Sequence, residues 1–334
     1  MSFKMLKRWC LQFLSSTPFK LLVALSVIGI LFYSNKLDFS SVTNLETRWP
    51  WLLLGFCLTI PPFFIVSYRF LIILSSQNIF VPYHVALRWT MIGSFFDLMM
   101  PSSNGGDIIK GVYVAKSVEP GSKFSGILAV GFDRVIGILG LFILACLASI
   151  LGWSYLGDIG FQKEIVGLSF LLGIGPLILF RLLGSNIIYH NKKINYYLPK
   201  SRIGFRILQL IGSFNTLRKT PKFFFTSIAL SILNHLFWCF SLLVISYSLG
   251  QEINPIKGLI VFPIAIFCGI FGFAGGFGIG TFAFEFILSK TLSIDDGALI
   301  GLIFQFFGMF SRLLGLPFYL INKSRIKQTK IPLK

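Results

Sequence analysis

The sequence predicts an all-α, polytopic membrane protein, with about six full spans plus two re-entrant or broken helical elements in an inverted repeat. Three observations predict it. First, 55% of residues are hydrophobic and 13% are charged, about half the charged share of a soluble domain. Second, the apolar residues fall in long unbroken runs, not in the ~10-residue alternating segments of a membrane barrel. Third, two of those runs are interrupted by glycine-rich breaks, at Pro101–Asp107 and Gly275–Gly280. A soluble fold could not hide this much apolar surface, and mean hydropathy is +0.80. In lipid every backbone polar group must bond internally, so helices are the default.

The spans are expected at 20–34, 50–75, 125–152, 162–181, 222–249 and 297–321. The first follows Lys4, Lys7, Arg8 and Lys20 and could pass for a signal sequence. Leu31-Phe32-Tyr33 offers no small-residue cleavage site, so a retained anchor is expected. Loop charges then set the orientation. The N-terminus, the region 76–124, the segment 181–222 and the tail from Lys323 to Lys334 are basic. The loops holding Asp158, Glu252 and Asp295-Asp296 are neutral to acidic. This alternation puts both termini in the cytoplasm, in a cell (inner or plasma) membrane. The net charge of +18 is therefore read as topology, not as nucleic-acid binding.

The same alternation constrains the two odd segments. Residues 82–118 must start and finish on the inner side, and residues 256–290 on the outer side. Each is broken at its centre, so each is expected to re-enter, from opposite faces. The alternative is a surface amphipathic segment at 82–118 and two short spans at 256–290. The chain is expected to be a single integral-membrane domain, 1–334, with inverted halves about 1–152 and 162–321. The basic, amphipathic stretch Pro199–Leu217 is expected to lie on the inner leaflet.

Charged residues inside apolar runs are the most informative feature, because each costs roughly 2.5–3.5 kcal/mol at a helix centre. They are Arg69, Asp133, Arg134, Glu285 and Arg312, joined by Asp107 if its segment re-enters. Arg69 and Arg312 are read as structural, in ion pairs between helices and snorkelling near the inner face. Arg134, Asp107 and Glu285 are read as functional, converging on one cavity. Ser102, Ser103 and Asn104 can cap a helix start, and Gly105-Gly106 permit close backbone approach. Free N–H groups and the helix dipole there could receive a phosphate, with Lys110 one turn later adding charge.

Some signals are set aside. The Gly275–Gly280 cluster mimics a dinucleotide fingerprint but lacks a βαβ context; Gly276 and Gly280 also have helix-contact spacing. Gly111–Ser117 has Ala115 where a phosphate loop needs glycine. Cys10, Cys57, Cys146, Cys239 and Cys268 show no metal or disulfide spacing, and His84, His190 and His235 are isolated. No cofactor, metal or nucleic-acid partner is expected.

The run Pro101-Ser102-Ser103-Asn104-Gly105-Gly106-Asp107-Ile108-Ile109-Lys110, followed by Gly131-Phe132-Asp133-Arg134-Val135-Ile136-Gly137, resembles the lysylphosphatidylglycerol synthase transmembrane, or flippase-like, family. Lys110 stands where arginine is usual. The later element with Gly276 and Gly278, followed by Glu285, resembles the second signature; Glu285 falls a couple of residues late and the preceding proline is missing. The resemblance spans most of the chain and implies lipid handling. Members with a soluble aminoacyltransferase domain make an aminoacyl lipid, and the membrane region moves it between leaflets. No segment here is long enough for that soluble domain, so synthase activity is not expected.

The resemblance and the charges together imply a translocase for a phosphate-bearing or aminoacylated lipid, or for a polyprenyl lipid or glycolipid. Asp133 and Arg134, with Ser102–Asp107, Lys110, Gly276, Gly278 and Glu285, are the expected substrate-binding residues. The partners are membrane lipids and a lipid- or glycan-biosynthesis enzyme. An integral-membrane transferase, with Asp107 or Asp133 as base, and a non-catalytic subunit of a biosynthetic complex stay open.

Overall fold

A computed structural model describes residues 45–99, 105–119, 122–183, 201–269 and 276–328, with a few isolated positions between them. The expected first span at 20–34 lies outside these residues but for isolated positions. Among the described residues, four stretches are long and apolar enough to cross a bilayer: Thr47–Ser76, Lys123–Leu151, Pro221–Ser248 and Gly297–Ile321.

The first crossing is two helices, α1 (Leu45–Cys57) and α2 (Pro61–Ser76). A turn at 58–60 separates them, because Pro61 and Pro62 bring no N–H to continue the ladder. The expected uninterrupted run at 50–75 is therefore broken. Next come α3 (Tyr83–Met99) and α4 (Gly105–Ser117). Their 17 and 13 residues are about 25 and 20 Å long, too short to cross singly. They fold back on each other with Gly93 facing Gly106, whose added Cβ would collide with the Gly93 carbonyl oxygen.

The 29 residues of α5 (Lys123–Leu151) form the longest helix among the described residues. It stops at Gly152, whose N–H donates to the Ala148 carbonyl at 2.7 Å. A 3-10 turn (Trp153–Asp158) leads to α6 (Gln162–Leu183), where the 162–181 span was expected. The basic helix α7 (Arg202–Lys219) packs across the start of α5 through Phe214 on Phe132, ring centroids 4.9 Å apart.

The pattern then recurs. The crossing α8 (Pro221–Ser248) is followed by α9 (Pro255–Gly269) and α10 (Ile279–Leu292), a second pair of short helices. Gly280 lies against Gly269, so this pair also doubles back. The last crossing is α11 (Gly297–Arg312) and α12 (Gly315–Gln328), with a turn at Leu313-Leu314. α12 packs on α3, where Tyr319 stacks on Phe95 at 6.1 Å.

Span, hairpin, span thus occurs twice, in opposite directions. The open end of α3–α4 lies at the start of α5, where Gly126 meets Val114 and Ile79. The open end of α9–α10 lies past the other end of α5, where Gly152 meets Ile256 and the Gly160 N–H donates to the Thr291 carbonyl at 3.1 Å. The two hairpins thus open toward opposite ends of α5, and the described residues next to their turns, Gly106 and Asp107 in the first and Gly269 in the second, line one cavity. The core that joins the repeats is α2, α5 and α8, where Gly140 lets α5 press onto Ser231 of α8.

Candidate functional site

The cavity between the two hairpins has a volume of about 310 Å³. Its lining is read helix by helix at the 3.6-residue period. α2 contributes Pro62, Phe63, Val66 and Arg69. α3 contributes Thr90, Gly93, Ser94 and Asp97; α4 contributes Gly106, Asp107 and Lys110. α5 brings Asp133, Arg134 and Gly137; α8 brings Asn234, His235 and Trp238; α11 brings Gln305, Gly308 and Arg312.

The inner wall is a buried ion cluster. Asp133 accepts from the Arg69 Nε at 2.8 Å and from the Lys110 Nζ at 2.9 Å, one bond to each carboxylate oxygen. All three residues are at most 5% exposed. Arg69 also donates to the Ser231 hydroxyl at 2.8 Å, which in turn donates to the Ser227 carbonyl. The Lys110 Nζ sits 3.7 Å from the Phe70 ring centroid, a cation–π contact that offsets its desolvation. Arg69 thus makes the expected ion pair between helices but does not snorkel: its guanidinium is turned inward between α5 and α8, where Gly137 leaves it room.

The hairpin tip carries a second, more open cluster. The Arg134 Nε lies 3.5 Å from the Asp107 Oδ2, with both side chains about a third exposed (38% and 32%). Asp97 accepts the Gly106 N–H at 2.7 Å and lies within electrostatic range of Arg312, Asp107 and Arg134. Two sequence expectations change here. One N–H at the α4 start, expected to await a phosphate, already holds a carboxylate from its own hairpin. Arg312, expected to snorkel, lines the cavity opposite Asp97. Four cations face three carboxylates in the lining, so the cavity is net positive.

The remaining expected residues are placed as follows. Ser102, Ser103 and Asn104 lie outside the described residues. Gly105 is buried where α4 begins. Gly276 (φ +121°) and Gly278 (φ +79°) adopt backbone angles that side chains disfavour, and Gly276 presses on Gln305. Glu285 is not among the described residues that line the cavity. Its carboxylate accepts the Ala298 N–H at 3.0 Å, at the start of α11, where the helix dipole favours an anion.

A neutral polar set escaped the sequence reading. Thr90 Oγ1, Asn234 Oδ1, His235 Nδ1 and Gln305 Nε2 are buried atoms of the lining with no hydrogen-bond partner among the described residues. The signal was present: Ser231, Asn234, His235 and Trp238 recur at i, i+3, i+4 and i+7 along an apolar helix, and so do Thr90, Gly93, Ser94 and Asp97. Such an arrangement can bind a small group that is both charged and polar, and about 310 Å³ is at the small end of ligand pockets.

A family model described as the lysylphosphatidylglycerol synthase TM region matches residues 19–315. That span takes in both hairpins, the ion cluster and every described residue of the cavity lining up to Arg312. No curated protein and no solved structure matches the chain. With most of its length matched, this multi-pass membrane chain belongs to the lysylphosphatidylglycerol synthase TM region family.

Proposed function

We propose that the protein is a lipid translocase, and that its cavity takes the phosphate-bearing head group of a membrane lipid while the acyl chains stay in the bilayer. The observation that carries this reading is the position of the cavity. It lies where two hairpins from opposite faces meet, the place where discontinuous helices build transporter sites. Its size suits a head group and its charge is net positive. Arg134 and Arg312, on either side of the hairpin tip, are the phosphate contacts. The Arg69–Asp133–Lys110 cluster holds the wall behind them.

The membrane is the cell (inner or plasma) membrane, with both termini and α7 on the cytoplasmic side. The exposed Arg206, Lys219 and Lys222 then face anionic lipid, as the positive-inside rule favours. A lipid- or glycan-biosynthesis enzyme supplies the cargo. Purified protein in vesicles tests the reading. Leaflet exchange of a fluorescent anionic phospholipid should be protein-dependent and lost in Arg134→Ala at normal abundance. A new covalent lipid product would point to a transferase instead. Inactivity without an added enzyme would point to a non-catalytic subunit.

A further inference from the structure

The orphaned atoms of the cavity differ in kind, and the mixture selects a ligand. The Gln305 amide is oriented by Thr281, whose hydroxyl donates to Oε1 at 2.8 Å, so Nε2 is left as a donor. The His235 Nε2 lies 3.0 Å from the Gly137 carbonyl, which can only accept. The neutral ring therefore presents Nδ1 as an acceptor. Asn234 Oδ1 is an acceptor, and the Thr90 hydroxyl serves either role. Thr90, Asn234 and Gln305 are each at most 5% exposed, and a buried polar atom left unpaired is destabilising.

An ionised phosphate, acceptor-only, satisfies Gln305 and Thr90 but leaves the Asn234 Oδ1 unpaired and sets an oxygen against the His235 Nδ1. An ammonium satisfies those two acceptors. However, it enters a net-positive cavity whose carboxylates are engaged: Asp133 by two cations, Asp97 by the Gly106 N–H, and Asp107 beside Arg134. A hydroxyl both donates and accepts, so several hydroxyls on one group satisfy the whole set. Trp238 and Phe304, with ring centroids 5.5 Å apart, add an aromatic wall for the C–H face of a ring.

Resting on the head-group reading above, we infer that the cargo is a lipid whose phosphate carries an uncharged, hydroxyl-rich group, a polyol or sugar, and that Thr90, Asn234, His235 and Gln305 form its subsite. A cationic aminoacyl head group is the disfavoured alternative.

Phosphatidylinositol, phosphatidic acid and lysylphosphatidylglycerol with matched acyl chains separate the cases when titrated into the purified full chain in detergent. Phosphatidylinositol should bind about tenfold or more tightly than phosphatidic acid, the size of one to two buried hydrogen bonds. Thr90→Val and Asn234→Leu should each bring phosphatidylinositol toward the phosphatidic acid level and leave phosphatidic acid unchanged. Their lipid-free melting temperature should hold or rise, since each removes an unpaired buried atom. Equal affinity for the two anionic lipids, preference for the lysyl lipid, or a lower lipid-free melting temperature in the near-isosteric Thr90→Val would overturn the polyol subsite. Failure of the head-group reading looks different: no anionic lipid binds, or Arg134→Ala leaves phosphatidic acid binding intact.

Discussion

Asp133 and Arg134 are neighbours in sequence and do opposite work, because adjacent helical residues point about 100° apart. Asp133 faces inward and pairs with both Arg69 and Lys110, at 2.8 and 2.9 Å. Asp133→Ala strands two buried cations and should cost about 3–5 kcal/mol. The protein should vanish from the membrane fraction on a quantitative blot; normal abundance would mean that the cluster is solvated. Arg134 is a third exposed beside Asp107, so Arg134→Ala should leave abundance near wild type and remove lipid exchange. Retained exchange in that well-folded variant would rule out the proposed phosphate contact. The charges themselves were legible, since each lies in an apolar run. Their partners were not. Arg69 lies 64 positions from Asp133, and nothing in one dimension gives the rotation of α2 against α5. The surroundings of Glu285 were hidden for the same reason: its carboxylate accepts a backbone N–H thirteen residues on, reached across a turn.

At the scale of elements, the two hairpins rest on glycine breaks, and the tip of the first is pinned by close packing. Gly106 lies against the Gly93 carbonyl and Asp97, so Gly106→Ala must part α3 from α4. It should reduce abundance and abolish exchange together, unlike Arg134→Ala, whose loss is of exchange alone. Direction of entry is testable apart from function. In a background without its native cysteines, Ser117→Cys and Lys219→Cys should react with an impermeant thiol reagent from one face, and Asp158→Cys from the other. Reaction of Ser117→Cys and Asp158→Cys from a common face would refute opposite entry. The hairpins could be anticipated because loop charge fixes how often the chain crosses, and proline and glycine mark where it breaks. The splits at 58–60 and Leu313-Leu314 were harder to see, since Pro61-Pro62 sits inside an apolar run and Leu313-Leu314 has no breaker before Gly315. Hydropathy averages over a window and does not register one lost turn.

For the whole molecule, the two hairpins open toward opposite ends of α5 and both contribute to the lining of one cavity. A translocase needs that cavity to open toward each leaflet in turn, with its two tips exchanging which one seals. A receptor or a transferase needs access from one side alone. Ser94 is suited to tell these apart. It lines the cavity on α3, and its hydroxyl is occupied by the Thr90 carbonyl at 2.9 Å, so it belongs to neither the cation pair nor the neutral polar set. Ser94→Cys is a small change that leaves those groups intact. Among the native thiols, Cys146 and Cys239 are buried whereas Cys57 is exposed, so the experiment starts from a chain lacking the native cysteines. In vesicles holding Ser94→Cys in one orientation, an impermeant thiol reagent should label it from either side. The rates from the two sides report how the population divides between the two openings. An anionic phospholipid at saturating concentration should slow labelling from both sides, because one head group fills the space from whichever face it enters. Labelling from a single face under every lipid condition would mean that the tips never exchange roles, and the translocase reading would give way to a one-sided binding or transferase site.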